Sequence, residues 1–174
     1  RAVEAFVDEQ LSNWYVRLCR RRFWKPARLG QATAADELDK RCAYQTLYEC
    51  LETLVKLIAP ISPFFSDALF RNLNQVTGRH TEESVHHVLF PQADEHIIDT
   101  PLEERMRLAQ DISSLVLSLR KKVNIKVRQP LQKVLIPVLN QEMKAQIEKV
   151  EDLIKSEVNI KEVQYLAGDT DFIK

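Results

Sequence analysis

The 174-residue sequence contains few glycines and no long apolar run. Its three glycines, Gly30, Gly78 and Gly168, lie far apart, which excludes a glycine-rich loop that could hold a phosphate group. Such a low glycine content disfavours a protein of strands and tight turns and favours long helices. No apolar stretch approaches the roughly 20 residues that a membrane-spanning helix needs. We therefore expect a helical protein without a membrane partner.

The residue types on which metal sites and many active sites depend are also sparse. The adjacent His86 and His87 could bind a metal together with Glu82 or Glu83, but adjacent histidines in an irregular segment are usually surface residues. No GxSxG or HExxH motif is present. We expect no catalytic residue and no metal ligand. The cysteines form no CxxC pair, which disfavours a zinc or redox motif and favours buried free thiols in a reducing cytosol: Cys19, Cys42 and Cys50.

An excess of charge of either sign is absent as well, because 25 basic residues balance 25 acidic ones. Taken alone, this balance argues against a nucleic-acid partner. The charges are nevertheless segregated, since residues 10–35 and residues 112–141 contain no acid and six bases each, whereas acids gather in residues 82–104. A neutral total therefore conceals two basic zones. The bases of the first are Arg17, Arg20, Arg21, Arg22, Lys25 and Arg28; those of the second are Arg120, Lys121, Lys122, Lys126, Arg128 and Lys133.

Apolar residues recur at helical spacing over much of the chain. The pattern predicts helices over residues 3–24, stopped by Pro26 and Gly30, and over residues 36–59. On the first helix, Val3, Val7, Leu11, Trp14 and Leu18 form the predicted core stripe.

Two further helices have clear start signals. Ser62 is the expected N-cap of a short helix that begins at Pro63 and ends before Gly78. The residues expected to face inward are Phe64, Phe65, Ala68, Leu69 and Leu73.

The fourth helix is predicted to begin with Thr100 as its cap, followed by Pro101 at the first position and Glu103 completing a capping box. The pattern of residues 77–100 has no sustained period and predicts a long acidic connection.

After Asn124 the period changes. Residues 132–139 and 158–166 are predicted to be strands, residues 141–156 a helix, and residues 169–174 a frayed end. Pro137 suggests that the first strand lies at a sheet edge. The predicted fold is mainly α, with a helical bundle over residues 1–125 and a small β-α-β appendage over residues 126–174.

One face of the first helix has a composition suited to RNA. At 100° per residue, Asn13, Arg17, Arg20 and Trp24 fall within about 60° of one another, away from the core stripe. Guanidinium groups neutralise phosphates, amides contact base edges, and an aromatic ring stacks on an unpaired base. The same side chains could instead form an ordinary solvated surface, with Phe23 and Trp24 closing the end of the bundle. Composition alone leaves both interpretations open.

The residues of this helix resemble a known family. The string NWYVRLCRRRFW, residues 13–24, resembles the signature helix of isoleucyl-tRNA synthetases, more narrowly the eukaryote-like type of this class I enzyme. The string LIAPISPFFSD, residues 57–67, resembles a helix junction shared with valyl and leucyl enzymes, and residues 84–91 and 126–131 resemble later segments of the same region. The resemblance covers residues 3–166.

The resemblance implies the anticodon-binding helical bundle of a class I synthetase, followed by a small α/β segment. The whole enzyme would be a cytoplasmic ligase that attaches isoleucine to tRNA(Ile) with ATP and magnesium, and zinc would belong to metal-binding elements elsewhere. The HIGH-like and KMSKS-like catalytic motifs are not in this sequence, and it begins with Arg1, so we expect a part of a longer synthetase chain. The expected tRNA-binding residues are Asn13, Arg17, Arg20, Arg21, Trp24, Lys121, Lys122, Lys126 and Arg128.

Two alternatives stay open at this stage. The acidic residues 82–104 could make the domain a protein-interaction module, since eukaryote-like synthetases often sit in assemblies. The bundle could also be a structural strut in a valyl-, leucyl- or isoleucyl-type synthetase, in which case truncating Trp24 should lower the thermal stability and leave tRNA charging intact.

Overall fold

The computed structural model describes residues 1–24 and 33–167. The chain forms two compact units, Arg1–Asp94 and Glu95–Lys174. The predicted domain boundary after residue 125 differs from this division and stays a prediction. The predicted helix stop at Pro26 and Gly30, the bases Lys25 and Arg28, and the predicted frayed end at residues 169–174 lie outside the described residues.

The first unit begins with a helical stretch that changes its hydrogen-bonding pattern along its length. It consists of α1 (Ala2–Ala5), a π-helical segment (Phe6–Val16) and α2 (Arg20–Trp24). Within the π-helical segment the bonds close from residue i to i+5, so the 100° step no longer describes which side chains share a face. Leu11 and Trp14 are buried as predicted, whereas Val7 is exposed.

Helix α3 (Ala34–Ile58) begins with a capping box, in which the Thr33 hydroxyl accepts a hydrogen bond from the backbone N–H of Asp36. It packs against α2 through a small apolar cluster. The phenol of Tyr15, in the π-helical segment, donates to the carbonyl of Ala43 across 3.0 Å and joins that segment to α3 at the edge of this cluster. The cluster comprises Cys19, Phe23 and Ala43, with Tyr15 and Leu47 packed against it.

Helix α4 (Pro63–Thr77) begins at the predicted proline and ends at Gly78, whose φ of 61° lies in the left-handed region that glycine adopts readily. Ser62 occupies the predicted N-cap position, where its carbonyl accepts from the backbone N–H of Ser66 across 3.0 Å, but its side chain makes no capping hydrogen bond. Of the residues predicted to face inward, Phe64 is 90% exposed and Phe65 is 60% exposed, so the prediction is wrong for these two, whereas Leu69 packs against the core. The helix buries Ser66 and Phe70 instead; Phe70 joins Val55, Ala59 and Val85 in a core cluster.

The connection after α4 contains two short 3₁₀ turns, Val85–His87 and Glu95–Ile97. Val85 is buried in the core cluster with Phe70. Its backbone N–H donates to Asp67 Oδ1 of α4 across 3.2 Å, so two contacts hold this segment against the helices of the first unit.

The second unit is built on α5 (Thr100–Lys122). Its cap is Asp99, whose carboxylate accepts from the backbone N–H of Leu102 across 3.0 Å, so the predicted cap at Thr100 is off by one residue. A carboxylate at this position also suits the positive end of the helix dipole.

The predicted strand-helix-strand segment follows α5. Strands β1 (Leu131–Val138) and β2 (Ile160–Ala167) pair in parallel, with Leu131 opposite Ile160. The connection contains two helices where one was predicted, α6 (Gln141–Glu148) and α7 (Glu151–Val158), because Val150 leaves the helical region at φ −119° and ψ 12°. Both helices pack against α5, and the predicted mainly α architecture with its parallel β-α-β segment is confirmed.

Among the described residues, no helix is long and apolar enough to cross a membrane.

Candidate nucleic-acid interface

The strongest candidate side chains lie on the exposed face of residues 17–24, which comprise α2 and the turn before it; this face is called the α2 face below. Arg17, Arg20, Arg21 and Trp24 are all exposed, and the Trp24 side chain is 78% open to solvent. From Cys19 onward the backbone N–H groups bond to the carbonyl four residues earlier, so residues three and four apart again share a face. The spacing of these four residues therefore places them along one side of the helix. An indole this open has few packing contacts with the part of the chain that the structure describes.

The opposite side of the same helical stretch packs against α3. Tyr15, Cys19 and Phe23 follow one another at intervals of four and contact α3. The rings of Phe23 and Tyr44 lie 4.9 Å apart between centroids. Burial raises the pKa of the Tyr15 phenol above its ordinary value. The predicted core stripe passed through Leu18, which is only partly buried, whereas the residues that pack against α3 here are Tyr15, Cys19 and Phe23.

Arg22 is one of the four bases of the first zone that the structure describes, and its side chain is paired within the protein. Its guanidinium forms a two-pronged contact with Asp39 of α3, at 2.7 Å from Nη2 to Oδ1 and 3.0 Å from Nε to Oδ2. The Asp39 carboxylate raises the pKa of the Arg22 guanidinium above its ordinary value. The spacing of four residues from Leu18 places Arg22 beside the predicted core stripe, but its partner Asp39 follows only from how α3 packs.

Asn13 is exposed but lies inside the π-helical segment. The 100° projection that joined it to the arginine face does not apply there. Its participation in the face stays a prediction.

The second group of candidates lies where α5 ends and β1 begins. Lys121, Lys122, Lys126 and Arg128 are all exposed. Lys121 and Lys122 close the last turn of α5, where cations suit the helix dipole. Lys126 and Arg128 lie in the loop between Asn124, which has a left-handed φ of 57°, and β1.

Arg120, in the same basic zone, is not a surface residue. It is 3% exposed, and its guanidinium donates four hydrogen bonds to backbone carbonyls across 2.9 to 3.1 Å. These carbonyls belong to Lys126, Gln129, Val158 and Asn159. A buried arginine that bonds only to main-chain carbonyls can be found only from the tertiary structure, because its partners stand up to 39 residues away.

The segment that contains His80, His86 and His87 has one histidine that is engaged within the protein. His80 is half-buried, and its Nε2 lies 2.6 Å from Oε1 of Glu52, which Lys56 Nζ also approaches to 2.6 Å. His86 and His87 are exposed. Within the part of the chain that the structure describes, no group of three or more His, Cys, Asp or Glu side chains could hold a metal ion.

Comparison with known proteins agrees with this geometry. Residues 1–135 match the family described as the anticodon-binding domain of tRNA ligase. The chain belongs to this family.

The curated relatives that it resembles are isoleucine–tRNA ligases. The chain is 58% identical to the isoleucine–tRNA ligase of Cytophaga hutchinsonii over 166 residues, which are 95% of this chain and 14% of that protein. It is 53% identical to the isoleucine–tRNA ligase of Bacteroides thetaiotaomicron over 97% of this chain and 14% of that protein. The isoleucine–tRNA ligase of Dehalococcoides mccartyi strain CBDB1 is 40% identical over 92% of this chain and 15% of that protein. The chain therefore spans about one seventh of the length of these relatives, and the predicted family is confirmed.

Proposed function

We propose that this chain is the part of an isoleucine–tRNA ligase that holds the anticodon stem-loop of tRNA(Ile). The observation that carries the proposal is the exposed arginine face of α2 with its 78% exposed Trp24, in a chain that belongs to the anticodon-binding family. Arginines along one face neutralise successive phosphates, and the open indole offers a stacking surface for an unpaired base of the loop. Lys121, Lys122, Lys126 and Arg128 would add contacts to the RNA backbone.

The reaction of the whole enzyme is assigned to residues beyond this chain. The proposed ligase uses ATP and magnesium in the cytoplasm, and the remainder of the synthetase chain is the partner that supplies this chemistry. The sequence contains no glycine-rich phosphate loop, and no cluster of three or more metal donors occurs in the described ranges. The contribution of this chain is to bind and orient the tRNA.

The first test is a titration of the chain with tRNA(Ile) at low and at moderate salt. Replacing Arg17→Ala together with Arg20→Ala should weaken binding and flatten the dependence of log K on log salt by about 1.4, since each single-strand phosphate contact contributes about 0.7. A matched double variant, Arg107→Ala with Lys149→Ala, removes two exposed charges outside the candidate residues and serves as the control.

The proposal predicts that only the first double variant lowers the salt slope. Equal slopes for the two double variants would show that overall charge, and not the α2 face, governs binding. A preference for tRNA(Ile) over another tRNA, measured in the same titration, tests the isoleucine assignment separately.

A further inference from the structure

The loop between α5 and β1 has an unusual pattern of carbonyl hydrogen bonds. Four consecutive carbonyls, from residue 126 to residue 129, each accept a hydrogen bond from one of two side chains. Arg120 Nη1 donates to the carbonyls of Lys126 and Gln129 across 3.1 and 3.0 Å. Asn159 Nδ2 donates to the two carbonyls between them, those of Val127 and Arg128, across 2.9 and 3.2 Å.

The same two residues anchor the loop to the β-α-β segment. Arg120 Nη2 donates to the carbonyls of Val158 and Asn159 across 2.9 and 3.0 Å, at the junction of α7 and β2. Asn159 itself has a left-handed φ of 52°, which asparagine tolerates better than most residues. The backbone N–H of Leu131 donates to the carbonyl of Asn159 across 3.2 Å and closes the arrangement.

Arg120 also places a positive charge beneath the loop. An arginine side chain does not lose its proton in proteins, so a full positive charge lies buried beneath the loop. Among the described residues no carboxylate forms an ion pair with it, and the charge is balanced by carbonyl dipoles. The four loop carbonyls of residues 126–129 are therefore all occupied by side-chain donors, whereas the side chains of Lys126 and Arg128 are exposed to solvent.

We propose that Arg120 and Asn159 are positioning residues for RNA binding, which hold the loop of residues 126–129 so that Lys126 and Arg128 meet the RNA backbone in a prepared geometry. The inference rests on the proposed function, because it presupposes that these two cations contact phosphate. Holding the backbone in advance lowers the ordering cost that binding would otherwise include. Occupying the carbonyl oxygens also keeps them from opposing a phosphate at the same surface.

The test uses Asn159→Gly, since glycine accepts the positive φ and the substitution removes only the two side-chain hydrogen bonds to the loop. Asn124→Gly is the matched control, because Asn124 has a similar φ of 57° and its side chain forms none of the hydrogen bonds that hold the loop. Both are measured in the full chain by titration with tRNA(Ile) at low salt. Each is also combined with Lys126→Ala and Arg128→Ala.

The expected result is that Asn159→Gly weakens tRNA binding about five-fold in the otherwise unchanged chain, as expected for losing the order of two side chains. In the background that lacks Lys126 and Arg128 the same substitution should have no effect on affinity. Asn124→Gly should leave the affinity unchanged in both backgrounds.

A readout without RNA checks the structural step. The backbone N–H of Gln129 donates to the carbonyl of Lys126 across 3.0 Å, so its hydrogen exchange reports whether the turn is formed. Asn159→Gly should speed this exchange about five-fold, and Arg120→Lys, which keeps the charge but loses the planar fork, should speed it further.

The outcomes separate the inference from the proposed function. If Asn159→Gly changes affinity equally in both backgrounds, or not at all, the positioning role is refuted. If the Lys126→Ala and Arg128→Ala variant, with Asn159 retained, binds tRNA(Ile) as tightly as the unsubstituted chain, the phosphate contact is refuted. The positioning role is then refuted as well.

Discussion

Phe23 and Trp24 are adjacent in the chain, and their side chains have opposite environments. Phe23 is 8% exposed and packs against Tyr15 and Tyr44, whereas Trp24 is 78% exposed. A core aromatic contributes mainly to folding, and an open indole contributes little to it. The two residues can therefore separate a structural role from an RNA-binding role in one helix.

Replacing Phe23→Ala should lower the free energy of unfolding by about 3–5 kcal/mol, the usual cost of removing a buried aromatic ring. Replacing Trp24→Ala should change it by no more than about 0.5 kcal/mol, yet weaken tRNA binding by about 1–3 kcal/mol through the lost stacking surface. Thermal melting and tRNA titration of both variants measure these effects. A large loss of stability in Trp24→Ala would favour the structural-strut alternative.

Glu52 provides a second test at the residue scale. Burial raises the pKa of its carboxyl, but the hydrogen bonds from Lys56 and His80 outweigh this, and the pKa lies below its ordinary 4.5. A group with a lowered pKa in the folded protein contributes stability above its unfolded value and loses it as the pH falls.

Replacing Glu52→Gln should therefore destabilise the chain at pH 7, and the difference from the unchanged protein should shrink as the pH falls below 4.5 and through the lower folded pKa. Urea unfolding between pH 7 and pH 3 measures this difference. Glu83→Gln, at an exposed position, is the control. A difference that stays constant over this range would contradict the assigned cause.

At the scale of the elements, the sequence predicts where helices begin and end more reliably than it predicts which face of a helix is buried. Helix α4 begins at Pro63 and ends before Gly78 as predicted, because both residues act through their own backbone geometry. Its buried face was predicted only in part, since Leu69 packs against the core but Phe64 is exposed and Ser66 is buried. Which side of a short helix faces inward depends on where α3 and Val85 lie, and apolar spacing alone does not contain that information.

The cap of α5 can be tested directly. Asp99→Ala should lower the free energy of unfolding by about 1 kcal/mol, because it leaves the N–H of Leu102 without its carboxylate partner. The neighbouring Thr100→Ala should cost clearly less, since Thr100 is the first helical residue and not the cap. Urea unfolding of the two variants distinguishes the two positions, and the reverse order of effects would restore Thr100 as the cap.

At the scale of the whole molecule, a net charge of zero coexists with two acid-free basic zones. The arginine face of α2 belongs to the first compact unit, and the loop with Lys126 and Arg128 belongs to the second. Electrostatic attraction to RNA depends on the local charges that meet phosphates, so neutrality of the total does not prevent binding.

Removing cations from both units should therefore have cumulative effects. The variant that combines Arg17→Ala and Arg20→Ala with Lys126→Ala and Arg128→Ala should lose about twice the salt slope of either pair, or about 2.8 in place of about 1.4. Titrations with tRNA(Ile) at several salt concentrations give the slopes. If the combined variant lost no more than one pair, only one of the two groups would contact the RNA.

The sequence by itself determined the helical class, the positions of most elements, the parallel β-α-β segment and the family. These properties follow from local periodicity, from Pro and Gly at helix ends and from a continuous signature at residues 13–24, all of which are visible within short windows. Only the tertiary structure decided which basic residues stay at the surface. Arg22 bonds to Asp39, 17 residues away, and Arg120 bonds to carbonyls as far as Asn159, 39 residues away. Such partners are set by how helices and strands pack together, so a charge pattern along one helix cannot distinguish a cation that binds RNA from one that holds the fold.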